Sequence, residues 1–366
     1  MTALLHTLAV LAGVGLVGGT VMSAVRSTVL PRSAHRGLSR ATLRGTRWVL
    51  GLTVGRSGSY EQRDRVMALL GPLSLLALLA AWLILTLVGF GLIYLGTGIG
   101  SVDRAVELSG SSVFTLGTTA AHRIGVDLLT YVEAAIGLLL VTLLITYLPS
   151  IYGAFSRREN GVHLLRVRAG DPPRAAALLI RYWIIDDTHA RLSDLWQMWE
   201  GWFADVEETH TTFAVLPFFR SPRPQESWIT AAGALLDAAS LWMAAVVHDA
   251  DPYAALCVRS GFQTLRRIGE MFRIPFDEEP NPSDPISITR DEWEAAVTEM
   301  ANAGLPVKPD RDQAWRAFRG WRVNYDTVLL SLARILEARP DVPWISDRSP
   351  VWLQGRPARG FLGRIR

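Results

Sequence analysis

The chain is poor in cysteine and lysine, with Cys257 and Lys308 the sole examples in 366 residues. A lone cysteine excludes an intramolecular disulfide and a cysteine-pair metal site, and it fits a reducing compartment. With lysine almost gone, the positive charge rests on arginine. The formal net charge is only +3, and we read the arginine usage as coding bias in a GC-rich bacterial genome. No basic patch is interleaved with aromatics, so a nucleic-acid partner has no footprint here. The motifs of catalysis are absent too: there is no nucleophile elbow, no H-E-x-x-H helix, no phosphate loop and no cysteine dyad. Ser, His and Asp are too scattered to nominate a triad, and no glycine-rich strand-turn-helix is present. The expectation is a protein that is not an enzyme and carries no cofactor and no metal.

What is present is apolar sequence, concentrated before residue 155. A chain of this length exceeds one ordinary core, so two domains are expected. Residues 1–25 form an apolar run with Gly13, Gly15, Gly18 and Gly19. Its start lacks the basic region of a signal peptide, which favours a retained transmembrane helix over a cleaved leader. About 20 apolar residues suffice to span, and the four glycines would allow close helix approach.

Residues 26–66 are basic. Nine arginines between Arg26 and Arg65 face only Glu61 and Asp64, and short loops with such an excess stay cytoplasmic. Arg32, Arg36, Arg40 and Arg44 recur every fourth residue, with Arg47 three further on. On a helix they make one stripe. The gaps hold Ser, Gly and Thr instead of the apolar residues of a voltage sensor, so the segment reads as an interfacial helix against anionic headgroups. A second span over Met67–Leu95 carries no charge from Leu73 onward. A third begins near Leu128 and returns the chain to the arginines at 157, 158, 166 and 168.

Between them lies Asp103–Asp127, too short and polar to cross a bilayer. A half-helix flanked by two spans is the sequence pattern of a re-entrant pore loop, and non-helical backbone at membrane depth survives only where it is buried in protein or lines water. The phrase Ser112-Val113-Phe114-Thr115-Leu116-Gly117-Thr118-Thr119-Ala120-Ala121-His122, followed by Glu133-Ala134-Ala135-Ile136-Gly137, resembles the pore helix, filter and final helix of bacterial potassium channels. There the pore helix ends in S-F-x-T-L-T-T-V-G-Y-G-D and the last helix often carries Glu-x-x-x-Gly. The resemblance is confined to the pore loop and its flanking spans. It implies four chains around an axis and a pore lined by Thr115, Leu116, Gly117, Thr118, Thr119, Ala120, Ala121 and His122. It also implies that Glu133 braces the back of the loop and that the last helix bends at Gly137 for gating. Pro149 removes a backbone donor and is expected to kink or end that helix.

The departure falls in the filter. Backbone carbonyls there replace the ion's hydration shell, and glycines supply the backbone angles that aim them. Thr118-Thr119-Ala120-Ala121-His122 keeps a threonine and loses both glycines. Strict potassium selectivity is therefore not expected. Three outcomes stay open: an altered filter, a less selective cation pore, or a channel-like scaffold that does not conduct.

After Phe155 the sequence is polar enough for a helical cytosolic domain. Helical runs cover Arg174–Trp183, Leu192–Val206, Trp228–His248, Pro252–Phe272, Arg290–Ala303 and Arg311–Arg339. Thr289 or Asp291 is placed to cap the Glu292 helix. The phrase His210-Thr211-Thr212-Phe213-Ala214-Val215-Leu216-Pro217-Phe218-Phe219-Arg220-Ser221 is similar to phrases in cytosolic parts of bacterial potassium-channel-like proteins. Asp186 with His189, and Glu207 with His210, have the i, i+3 spacing of di-metal helices. The bridging glutamates such sites need cannot be assigned, so a polar cluster in which His210 and Arg220 satisfy buried groups is the simpler reading.

The expected fold is an all-α membrane protein: three transmembrane helices with a re-entrant pore helix, then an all-α cytosolic domain. Its parts are a helix at 1–25, a basic segment at 26–66 and a pore module at 67–155, with spans 67–98 and 126–153 around a loop at 101–125. A cytosolic domain at 156–348 and a basic tail at 349–366 follow. The expected setting is the bacterial inner membrane, N-terminus outside and C-terminal domain cytoplasmic, with lipids, a monovalent cation and three further copies as partners. The competing expectation is a non-conducting membrane sensor or scaffold whose cytosolic helices bind a partner or ligand.

Overall fold

The computed structural model describes residues 2–28, 37–53, 59–119, 123–185, 190–249 and 251–348. Regular structure among these residues is helical; no strand forms, and Val246 and Val307 make an isolated antiparallel bridge. The chain divides into two units, Met1–Gly58 with Val66–Gly153, and Ser59–Arg65 with Ala154–Arg366.

The first unit is built on α1 (Thr2–Thr28), α2 (Leu38–Thr53), α4 (Leu70–Gly96), α5 (Val102–Val113) and the first part of α6 (Ile124–Ala169). Helices α1, α4 and α6 are each long and apolar enough to cross a membrane, which fits a membrane protein. Helices α1 and α4 run antiparallel: His6 and Val10 meet Gly96, Gly13 and Val17 meet Gly89, and Trp82 Nε1 donates to Ser23 Oγ at 3.3 Å. A Cβ on Gly89 would come within 2.7 Å of Val17, so the missing side chain is what lets the two backbones approach. Of the four glycines on α1 only Gly13 serves this contact. Gly15, Gly18 and Gly19 meet no neighbour.

Helix α6 departs from its expected end. It runs through Pro149 to Ala169 as one helix, so the proline does not end it. The loss of a single backbone bond is affordable in a long helix whose other bonds hold.

The second unit is assembled around α9 (Trp228–Ala245), buried along almost its whole length. This helix is also apolar and long enough to span a membrane by composition, a fourth such helix where the sequence reading had three. A helix apolar on all sides must be enclosed by something. Here α7 (Ala175–Ile185), α10 (Pro252–Met271), α12 (Arg311–Arg322) and α13 (Asp326–Ile335) pack on it, while α8 (Ala190–Thr212) packs on α10 and α11 (Arg290–Asn302) on α7. The short α3 (Tyr60–Met67) contributes its residues up to Arg65 to this unit.

The expected single helix Arg311–Arg339 is two. Between α12 and α13 the amides of Asn324 and Tyr325 bond three residues back, to Trp321 and Arg322, and the Asn324 side-chain amide donates to the Gly320 carbonyl at 2.9 Å. The break lets one guanidinium serve both helices and the core. Arg322 is fully buried, donating to Asp237 at 2.5 Å, Asp326 at 2.8 Å and the Trp344 carbonyl at 2.8 Å. Thr289 forms a capping box with Glu292 at the start of α11.

Candidate functional site

Helix α5 begins at Ser101, whose hydroxyl accepts from the Arg104 amide at 3.3 Å. Its far end is closed by a Schellman motif. The Leu116 amide reaches back to the Ser111 carbonyl at 2.8 Å and the Thr115 amide to the Ser112 carbonyl at 2.9 Å. The residue between must take left-handed backbone angles, normally a glycine's place. Here it is Thr115, at φ 56°, followed by Gly117 at φ 66°.

The chain beyond this turn is held by one side chain. Ser111 Oγ accepts from the amides of Thr118 at 3.0 Å and Thr119 at 3.2 Å, and the Thr118 hydroxyl lies 3.2 Å from it. Thr115, Leu116, Gly117 and Thr118 are exposed and Thr119 is half-buried. The result is a short stretch of threonine hydroxyls and left-handed backbone projecting from the end of a polar helix. Ala120, Ala121 and His122 lie outside the described residues.

Behind α5 sits Glu133 of α6, with no exposed surface. Its two carboxyl oxygens accept from Ser109 Oγ at 2.5 Å and from Tyr94 OH at 2.7 Å, and Ser109 Oγ also lies 2.9 Å from the Leu87 carbonyl of α4. One acid thus ties α4, α5 and α6 together. It does so through hydroxyl groups, and the backbone amides of the turn go to Ser111 instead. Four residues on, a Cβ at Gly137 would run into the Val113 carbonyl at the end of α5. Its bare backbone is what allows α6 to lie flush against the turn. Phe90, Tyr94, Ala105, Leu108 and Val126 form the apolar packing around these groups.

In the second unit the His210–Ser221 phrase wraps two arginines. Arg158 is fully buried; it donates to the carbonyls of Leu216 at 3.1 Å and Phe219 at 2.6 Å, pairs with Glu159 at 2.7 Å, and meets His210 Nε2 at 3.3 Å. That contact makes Nε2 the acceptor, leaving Nδ1 to carry the proton 3.3 Å from Thr209 Oγ1. Burial, reinforced by the adjacent guanidinium, holds the imidazole well below its usual range. Arg220 pairs with Asp64 of α3 and donates to the carbonyls of Leu336 at 3.1 Å and Glu337 at 3.2 Å. Arg63, one residue before, binds the Glu337 carboxylate at 2.8 Å. Burial, with Asp64 close by, pushes the Tyr60 phenol up to about 12.

Of the two carboxylate–imidazole pairs, Glu207 and His210 do not turn to a common point. Asp186 and His189 are outside the described residues. The Glu207 carboxylate meets Thr264 at 3.4 Å while His210 faces Arg158. Among the described residues no three His, Cys, Asp or Glu groups are grouped to hold a metal. Sequence reasoning missed Ser111, Ser109, Tyr94, Arg158 and Asp64. Three serines within one turn of a helix between two apolar segments were a usable signal; Arg158 looked like any other arginine of a basic exit. Comparison of the chain with family models, with curated proteins and with solved structures gives no match.

Proposed function

We propose that this chain is a subunit of a potassium-channel-like or less selective cation channel, with Thr115, Thr118 and Thr119 beside the ion path and several copies around an axis. One observation carries the reading. The turn after α5 is exposed, contains two left-handed residues and is fastened by Ser111, while Glu133 and the flush contact at Gly137 hold the helix that carries it. A turn built at this cost, with exposed threonines and an apolar cage behind the helix that carries it, suits a site where polar groups substitute for an ion's water. In this reading α4 and α6 cross the bilayer, α5 enters it part-way, and Glu133 positions the turn without touching the ion. An intramembrane carboxyl facing protein is the arrangement such a residue requires.

Cation flux through purified protein in liposomes tests the reading, with potassium compared against sodium and Thr118→Trp as the blocked variant. Flux in the parent abolished by Thr118→Trp is the expected result. Equal flux of both ions keeps the pore and removes selectivity. No flux from folded, oligomeric protein would replace the channel by the non-conducting sensor or scaffold.

A further inference from the structure

Helix α2 carries a surface that the pore does not use. Successive helical residues turn by about 100°, which sorts twelve of its sixteen residues into three flanks, while Leu38 at its start packs against the apolar core. Ser39, Leu43, Thr46 and Leu50 face protein and are half-buried or buried; Ser39 Oγ bonds Ser27 Oγ at 3.0 Å at the end of α1, and α2 packs along α4. Ala41, Gly45, Trp48, Val49 and Leu52 form the opposite flank and are exposed, Trp48 at 67% and Leu52 at 66%. Arg40, Arg44 and Arg47 line the border between the two.

We propose that this face of α2 is a docking surface for anionic lipid headgroups: the three arginines hold headgroup phosphates while Trp48, Val49 and Leu52 lie among the upper acyl chains. Charge and place favour lipid over another copy of the chain. No acidic residue occurs between Arg26 and Tyr60. The acids of the first unit, Asp103, Glu107, Asp127 and Glu133, lie on α5 and α6, with Glu133 beside Tyr94 in the second half of α4, whereas α2 starts beside Leu78 and Trp82 in its first half. A second copy's apolar helices therefore offer no carboxylate at the level of α2. An apolar flank bordered by arginine, with a tryptophan at the boundary, matches a helix lying in the interface plane, and each arginine near an anionic surface adds attraction. The tryptophan's amphipathic ring is suited to the headgroup level.

The inference rests on the membrane reading above, and its test separates the two. A fluorophore is placed at Leu52→Cys, and in a second sample at Ile145→Cys on an exposed position of α6; the native Cys257 is buried and stays in place. Both samples go into nanodiscs of phosphatidylcholine with or without phosphatidylglycerol, containing lipids spin-labelled near the headgroup or deep in the chain. The expected result is quenching at position 52 by the shallow label and at position 145 by the deep one. Wild-type protein extracted from the mixed bilayer should also retain several-fold more phosphatidylglycerol than the Arg40→Gln/Arg44→Gln/Arg47→Gln variant, measured by mass spectrometry of the intact assembly. The corresponding triple lysine variant should keep the retention and so controls for misfolding. Position 52 quenched only by aqueous quencher, or reporting a second copy's label instead of lipid, overturns the proposal; so does equal retention in the glutamine variant. Failure at position 145 overturns the membrane reading itself.

Discussion

At the scale of single residues, the buried polar groups decide most. Arg158 and His210 are both fully buried and joined, and Arg158 could not be recognised from its neighbours in sequence. What the sequence did carry was the reading of His210 and Arg220 as members of a polar cluster; in the fold His210 meets Arg158 and Arg220 meets Asp64. The partner arginine was illegible because its burial depends on a loop 58 residues later whose carbonyls accept its protons. The imidazole makes a pH prediction. Its folded pKa is depressed, so below the unfolded value of about 6.5 the unfolded chain takes up a proton that the folded chain refuses. Stability from this group is intact above that pH and falls as pH drops below it, by up to about 1.4 kcal/mol per unit. Thermal unfolding of the detergent-solubilised chain between neutral and mildly acidic pH should show wild type losing stability faster than His210→Gln. Parallel curves would assign the acid sensitivity to other groups.

Elements were legible wherever period and composition agreed, and misread at their ends. The apolar runs gave α1, α4 and α9 to within three residues at each end, and the prolines and acids gave the starts of α10 and α11. Helix ends failed for a physical reason. Schellman closures need one left-handed residue, and the sequence advertises it only when it is glycine, as at Gly98 and Gly304. Here Thr115, Arg273 and Glu337 take that conformation instead, at φ of 56°, 55° and 51°. Glu337 stops α13 inside the run read as continuing to Arg339. Each such residue costs about 1–2 kcal/mol in backbone energy relative to glycine. Thr115→Gly should therefore raise the unfolding midpoint while keeping the turn, because the Ser111 bonds do not involve the Thr115 side chain. A lowered midpoint would mean that the threonine hydroxyl or methyl stabilises the turn by more than the strain it imposes.

At the scale of the whole molecule, composition separated an apolar first part from a helical remainder. The division at Gly153 lies close to the change of character after Phe155. Composition could not show that Ser59–Arg65 belongs with the second part, because nothing in a short charged helix names a partner so distant. The Asp64–Arg220 pair, buried at the aspartate and largely buried at the arginine, is the test. Removing one member of such a pair leaves an uncompensated charge and costs about 3–5 kcal/mol. Asp64→Ala and Arg220→Met should each destabilise the full chain strongly in denaturant unfolding, and the double variant should cost at least about 1 kcal/mol less than their sum. Additive losses would make the contact incidental. The docking of α3 also has a consequence for biosynthesis. Arg63 and its partner Glu337 are separated by 274 residues, and at translation rates of about 5–20 residues per second roughly 14–55 seconds pass between their syntheses. Asp64 waits for Arg220, 156 residues on, and Arg63 waits through the whole interval for Glu337, so the second unit closes last around one of the earliest pieces of the chain to be made.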